Sequence, residues 1–222
     1  MSYCLNDMQT SNEQTWEMFR AQKYVVLMLQ RRGYDVVEQP WHIDYKHFLH
    51  VWSTYASYTA FTIVGTKEGG RPIIVFWPFE QKLRINSIRD ILAICKEKKY
   101  SHTIIVYSGT ITSFAKQQLS IIKSKKSEIP VRIETFNIQH FLYDIFKHQY
   151  VPQQRALTHE ETTKLLEKYK ITLEDLPKIY TTDPIAKYFG LRPKRVLHCL
   201  YPSPEGYFYS QWRVCVKGNI MK

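Results

Sequence analysis

The eight residues Asp183-Pro184-Ile185-Ala186-Lys187-Tyr188-Phe189-Gly190 leave their backbone little choice. Asp183 stands where an N-cap belongs, with a carboxylate able to accept from the free amides of the turn that follows. Pro184 takes the first helical position, where its missing N–H costs nothing and its fixed φ suits the turn. Ile185, Tyr188 and Phe189 then repeat at i, i+3, i+4 as an apolar stripe. Gly190 ends the turn by entering the left-handed region without steric cost. Two extended runs follow, Val196–Tyr201 and Tyr207–Val216, and Pro202–Gly206 between them has the composition of a hairpin connection. The stretch Leu176–Val216 is therefore a short helix followed by a hairpin.

Immediately upstream, Thr158-His159-Glu160-Glu161 is a capping box that opens a helix carrying Leu165, Leu166 and Tyr169. Thr172 caps one further turn that ends at Leu176-Pro177. The segment His148–Leu157 fits neither period and marks a boundary. Residues 151–222 thus form a small α+β domain, too small to be very stable without a partner or neighbour.

Residues 1–150 alternate strand and helix patterns. A first helix is predicted over Thr15–Arg32, with a Thr cap and Gly33 as its stop. Strands Tyr58–Val64 and Pro72–Phe79 flank a Gly69-Gly70 turn, and the second reads PIIVFWPF, the unbroken apolar run of a strand covered on both faces. Asn86 caps a helix whose Ile88, Ile91, Leu92 and Cys95 share one face. Strand Thr103–Tyr107, a helix Ser113–Ile122 with Ala115, Leu119 and Ile122 inward, strand Val131–Phe136, and a helix capped by Asn137 with Phe141, Leu142 and Ile145 on one face complete the order. Trp41–Ser57, rich in histidine and aromatics, matches neither period. The fold class is α+β: an N-terminal α/β layer domain with a mixed sheet, then the small C-terminal α+β domain.

The 222 residues carry 31 Lys+Arg against 20 Asp+Glu, a formal charge of +11. The excess is spread. From Val151 onward 12 basic and 7 acidic residues leave +5, and the remainder carries +6. That balance suits a protein working beside a polyanion, not one with a dedicated basic tail. No apolar run approaches the ~20 residues of a membrane span, and the polar N-terminus lacks the pattern of a secretory signal. Cys4, Cys95, Cys199 and Cys215 form no CxxC pair, so they read as reduced thiols of an intracellular protein.

Two patterns could carry chemistry. Glu80-Gln81-Lys82 after the buried strand is the acid-x-Lys half of a metal-dependent nuclease site, with a second carboxylate to come from Glu68, Asp44 or Glu38. His47-x-x-His50 with His42 nearby could hold a metal if helical, but has no third ligand of fixed spacing. Gly65–Gly70 does not match a P-loop, and no Ser/His/Asp or Cys/His constellation is placed by spacing. The residues favour a protein with no catalytic group, metal or cofactor of its own; a DNA nuclease using Glu80 and Lys82 is the alternative.

The run Leu176-Pro177-Lys178-Ile179, the block Asp183–Gly190, the basic stretch Arg192–Val196 and Arg213-Val214 together resemble the C-terminal assembly domain of RNA polymerase subunit 5. The family comprises the fifth subunit of eukaryotic nuclear polymerases and its archaeal counterpart. Tyr150-Val151-Pro152 is similar to that family's lead-in. Gly109–Leu119 is more weakly similar to its Gly-x-Thr-Pro-Ser-Ala-Lys stretch, lacking the proline and carrying one extra residue between Ser113 and Ala115. An N-terminal α/β domain implies the eukaryotic form or a eukaryote-like one from a large DNA virus. The resemblance implies a non-catalytic subunit of a multisubunit DNA-directed RNA polymerase, docked on the largest subunit beside neighbouring small subunits. Its N-terminal domain would form part of the lower jaw near downstream duplex DNA, touched without sequence preference. Partner-binding residues would be Lys178, Asp183, Pro184, Lys187, Tyr188, Phe189, Gly190 and Arg192. Lys116, Lys123, Lys125 and Lys126 would lie near nucleic acid. No membrane and no small-molecule substrate are implied, and the location would be the nucleus, or the virion or infected-cell cytoplasm for a viral form.

Overall fold

The computed structural model describes residues 12–37, 39–54, 61–78, 80–123, 131–203 and 205–218. Cys4, Glu38, Phe79, Lys125, Lys126 and the 58–60 part of the expected strand lie outside them. Contacts divide the chain into two units, Met1–Tyr143 and Asp144–Lys222. The division lies upstream of the 150/151 junction expected from the sequence. Phe146 accounts for the difference: its ring packs on Tyr188 at 5.0 Å and Phe189 at 5.5 Å, drawing its segment into the second unit.

In the first unit, helix α1 (Asn12–Arg31) begins ahead of Thr15. Thr15 is buried and its hydroxyl lies 3.0 Å from Tyr45 Oη, so it packs inside the helix rather than capping it. Gly33 stops the helix as expected, with φ +79°. Ala21, Val25, Met28 and Leu29 make the buried stripe. The described part of the Trp41–Ser57 stretch forms two short helices, α2 (Pro40–Ile43) and α3 (Tyr45–Thr54), and residues 55–57 lie outside the described residues. An aromatic cluster holds the second: Phe48 packs on Phe19 (5.7 Å), Trp52 (5.7 Å) and Phe61 (5.3 Å). Ring contacts of this kind depend on three-dimensional neighbours, which is why no sequence period announces them.

The main sheet orders its strands β1 (Asp35–Val36), β2 (Ile63–Thr66), β3 (Ile73–Phe76), β5 (His102–Tyr107) and β7 (Arg132–Asn137). The first two pairings are antiparallel and the last two parallel, so the sheet is mixed. Every residue of β3 is buried, as its unbroken apolar run requires. Helix α4 (Ile85–Glu97) lays Ile88, Ile91, Leu92 and Cys95 into one cluster with Ile74, Phe76, Ile105 and Ile133. Helix α5 (Ser113–Lys123) adds Ala115 and Leu119. The N-cap of α4 is Arg84, without a side-chain bond, so Asn86 lies inside the helix and does not cap it. Between these elements β4 (Lys82–Leu83) pairs in parallel with β6 (Thr110–Ile111), a two-residue pairing too short to show in the sequence. Asn137 does act as a cap, its side chain accepting from Gln139 N at 3.0 Å. What it opens is the 3-10 turn Ile138–Phe141; a second such turn, Ile145–Lys147, lies in the other unit, where the sequence pattern predicts one α-helix.

The second unit is a four-stranded sheet in the order β8 (Gln153–Ala156), β10 (Val196–Pro202), β11 (Phe208–Val216), β9 (Lys178–Tyr180). The β8, β10 and β11 pairings are antiparallel, while β9 runs parallel to β11. The hairpin is legible in the sequence; the two edge strands are not. Helix α6 (His159–Tyr169) opens on the expected capping box: Thr158 Oγ1 accepts from Glu161 N at 3.2 Å and Glu161 Oε2 from Thr158 N at 2.8 Å. Thr172 caps no helix. Its amide and hydroxyl both donate to Asp175, at 2.8 and 2.7 Å, which closes a turn instead. Leu157, Leu165, Leu176, Val196 and Val214 form the core of this layer.

Candidate partner-binding site

Helix α7 (Pro184–Tyr188) is specified at both ends. Asp183 Oδ1 accepts from Ile185 N at 2.8 Å, and Pro184 follows at the first helical position. At the other end Gly190 N donates to Lys187 O (2.9 Å) and Leu191 N to Ala186 O (2.8 Å), with Gly190 at φ +60°. That pair of bonds is a Schellman closure, and Leu191 and Ala186 are both buried beneath it. Five helical residues could not hold together on propensity alone; these caps and the rings of Phe146, Tyr188 and Phe189 do it.

The candidate residues separate into three sets. Tyr188 and Phe189 are each only 8% exposed, packed inside their own unit. Asp183 and Gly190 set the backbone. Lys178, Pro184, Lys187 and Arg192 are exposed. The basic stretch after Gly190 is not uniformly solvated: Arg195 Nη2 donates to Leu157 O at 2.9 Å and ties the loop to the start of α6. Lys194 takes the left-handed region at φ +70° while its amide donates to Cys215 O at 2.8 Å. Of the residues expected near nucleic acid, Lys116 is exposed on α5, Lys123 ends that helix, and Lys125 and Lys126 fall outside the described residues.

Residues 12–95 match the family described as RNA polymerase Rpb5, N-terminal domain, and residues 143–215 match RNA polymerase Rpb5, C-terminal domain. A Dictyostelium discoideum protein, DNA-directed RNA polymerases I, II, and III subunit rpabc1, is 37% identical over 144 residues, 65% of this chain and 72% of the relative. The chain belongs to the Rpb5 family. A Caenorhabditis elegans relative, DNA-directed RNA polymerases I, II, and III subunit RPABC1, is 29% identical over 210 residues, 91% of this chain and 97% of its own length. An Arabidopsis thaliana protein, DNA-directed RNA polymerase V subunit 5A, is 25% identical over 194 residues, covering 86% and 84%. As an Rpb5 protein the chain is a structural, non-catalytic subunit of a DNA-directed RNA polymerase.

The nuclease reading finds no support in these relatives, and two of its carboxylates are otherwise engaged. Glu80 Oε1 accepts from Ser87 Oγ at 2.6 Å. Asp44, a candidate for the second carboxylate, takes His47 Nδ1 at 2.7 Å and Lys46 N at 3.2 Å. His42 is buried, with Nδ1 accepting from Gln39 N at 3.2 Å, apart from this surface pair. Among the described residues no group of three or more His, Cys, Asp or Glu is placed to hold a metal. The buried thiols of Cys95, Cys199 and Cys215 are pushed up by burial and stay protonated.

Sequence reasoning misses Phe146, whose ring packs against α7. Its pattern places it with the preceding helix, and only the fold brings its ring to α7. Also missed is how much aromatic surface the hairpin exposes. Tyr207, Phe208 and Tyr209 are about half exposed or more; the sequence pattern marks them only as strand residues.

Proposed function

We propose that the second unit docks this subunit on the largest polymerase subunit, and that the first unit forms part of the lower jaw beside downstream duplex DNA. The observation that carries the docking reading is the division of labour around α7. Caps and inward rings fix a short helix in advance, while Lys178, Lys187 and Arg192 stand exposed on the same small unit. A surface fixed before binding loses little entropy on binding, and exposed Arg and Lys give a partner's carboxylates something to pair with. Tyr188 and Phe189 act in this reading by holding the surface rigid. The relatives named as subunits of polymerases I, II and III support a multisubunit partner and, for a cellular form, a nuclear location. A viral form would work in the virion or infected-cell cytoplasm.

The sequence-independent DNA interaction rests on the charge of +11 and on Lys116, Lys123, Lys125 and Lys126. The docking reading is tested by affinity purification of the tagged chain. Stoichiometric recovery of the largest subunit is expected, together with its loss on combined reversal of Lys178, Lys187 and Arg192 to Glu. A tagged chain that runs free while polymerase assembles normally would overturn it.

A further inference from the structure

The sheet of the second unit is incompletely paired. Strand β11 is nine residues long, and β10 pairs with it from Phe208 to Val214. On its other side β9 covers only Val214–Val216. The bonds at the covered end fix which groups point outward. Val214 N donates to Pro177 O (2.8 Å) and Val216 O accepts from Thr181 N (2.9 Å) on the β9 side. Cys215 N donates to Arg195 O and its carbonyl accepts from Lys194 N, both at 2.8 Å, on the opposite side. Backbone groups alternate along a strand. The N–H and C=O groups of Phe208, Ser210 and Trp212 therefore face the β9 side, where no described strand pairs with them.

Proteins usually blunt such an edge with lysine, proline or a covering loop. This one carries aromatics: Tyr207, Phe208 and Tyr209 are 56%, 61% and 49% exposed. Tyr209 stacks on Tyr201 of β10 at 5.3 Å and 12°, which stiffens the ribbon without covering its free side. Next along the strand, Arg213 Nη2 reaches two neutral acceptors, Tyr201 Oη at 3.1 Å and Gln211 Oε1 at 3.3 Å. Its Nε is buried with no acceptor among the described residues. Among those residues the guanidinium has no carboxylate.

We propose that the free side of β11 over Phe208–Trp212 receives an extended strand from another polymerase subunit, laid in line with β9, and that this strand carries a carboxylate on the face Arg213 occupies. The inference rests on the subunit reading above, which supplies a neighbouring polypeptide. A row of alternating backbone donors and acceptors is matched by another strand and not by a nucleic acid. A cation with no carboxylate among the described residues selects an acidic strand.

Hydrogen exchange of the 208–212 segment in the assembled polymerase against the free full-length chain tests this. Exchange at Ser210 and Trp212 is expected to slow by about a hundredfold on assembly, as a ladder bond that opens only with its complex requires. A Ser210→Pro chain deletes an outward N–H while leaving the β10 ladder intact. It should melt like a Ser210→Ala chain, which likewise loses the exposed hydrogen bond to His198 Nε2 (2.9 Å), yet be recovered with polymerase about tenfold less well than that chain. If the parent chain co-purifies with polymerase but these amides exchange as fast as in the free chain, the strand proposal falls and the subunit reading stands. If the parent never co-purifies, both fall. Should Ser210→Pro misfold, the exchange result on the parent chain decides alone. Protection of the same amides in a dimer of the free chain would also overturn the proposal.

Discussion

Asp183 and Gly190 show what single residues decide in this chain. Both act within a few positions of themselves, so both are legible in the sequence. Asp183→Ala leaves Ile185 N without its acceptor and should cost about 1 kcal/mol, with Asp183→Asn restoring most of it. Thermal melting of the second unit, followed by Trp212 fluorescence, checks this; equal melting of parent and Ala variant would refute the cap. Lys170 is the opposite case. It closes α6 at φ +53° and ψ +43°, where glycine sits freely and lysine is strained. Lys170→Gly should therefore gain about 0.5 kcal/mol, the relief being partly offset by the freer unfolded chain, and a lowered melting temperature would contradict it. Gly109 stands in the sequence only as the start of a family-like stretch. Its real constraint is a close approach, since a Cβ there would lie 1.8 Å from Gln81 O. No local pattern shows that, because Gln81 reaches Gly109 only through the β4–β6 pairing.

At the scale of elements, periodicity is a good guide wherever one face of a helix meets one sheet. Helix α4 is buried at Ile88, Ile91, Leu92 and Cys95, the positions its spacing names. It fails for α3, whose Phe48 is buried by rings on other segments, and for β8 and β9, which are short edges fixed by a neighbour. It also gives no sign of the ion cluster joining the end of α1 to β5 and β7. Glu134 accepts from Arg32 Nη2 at 2.9 Å, Arg132 Nη2 at 2.8 Å and His102 Nε2 at 2.8 Å. Burial alone would raise the Glu134 pKa, but Arg32, His102 and Arg132 together hold it far below the ordinary 4.5. Burial lowers His102 below its ordinary 6.5, outweighing the Glu134 bond. For both groups the unfolded chain takes up a proton at a higher pH than the folded one. Stability should therefore begin to fall as pH drops below about 6.5, where unfolded His102 charges, and fall further below about 4.5, where unfolded Glu134 protonates. Hydrogen exchange of β5 and β7 amides across that range measures it. Glu134→Gln should reduce the lower limb and cost about 3 kcal/mol at neutral pH by removing the carboxylate that buried Arg32 and half-buried Arg132 share. A pH profile unchanged by that substitution would remove the cluster from the account.

At the scale of the whole chain, two domain matches carry the family and the charge carries the expected work. The block Asp183–Gly190 is legible in the sequence because its cap, proline, apolar stripe and closing glycine each have a local reason to be there. Any approach of the first unit to DNA is less legible, because phosphate attraction needs only cations at a surface, and many surface lysines do nothing. What separates the two is salt. Polymerase assembled with Lys116, Lys123, Lys125 and Lys126 reversed to Glu should hold duplex DNA less tightly at low ionic strength and almost equally at high. The slope of log affinity against log salt should become shallower by about one for each phosphate no longer neutralised. Reversal of Lys164 and Lys168 on α6, exposed lysines outside the first unit, is the control and should leave the slope alone. Equal loss at every salt concentration would mean that the four substitutions had damaged the fold or its docking. No loss at any concentration would take α5 and the residues after it off the path of the DNA, leaving the +11 charge to act through other parts of the surface.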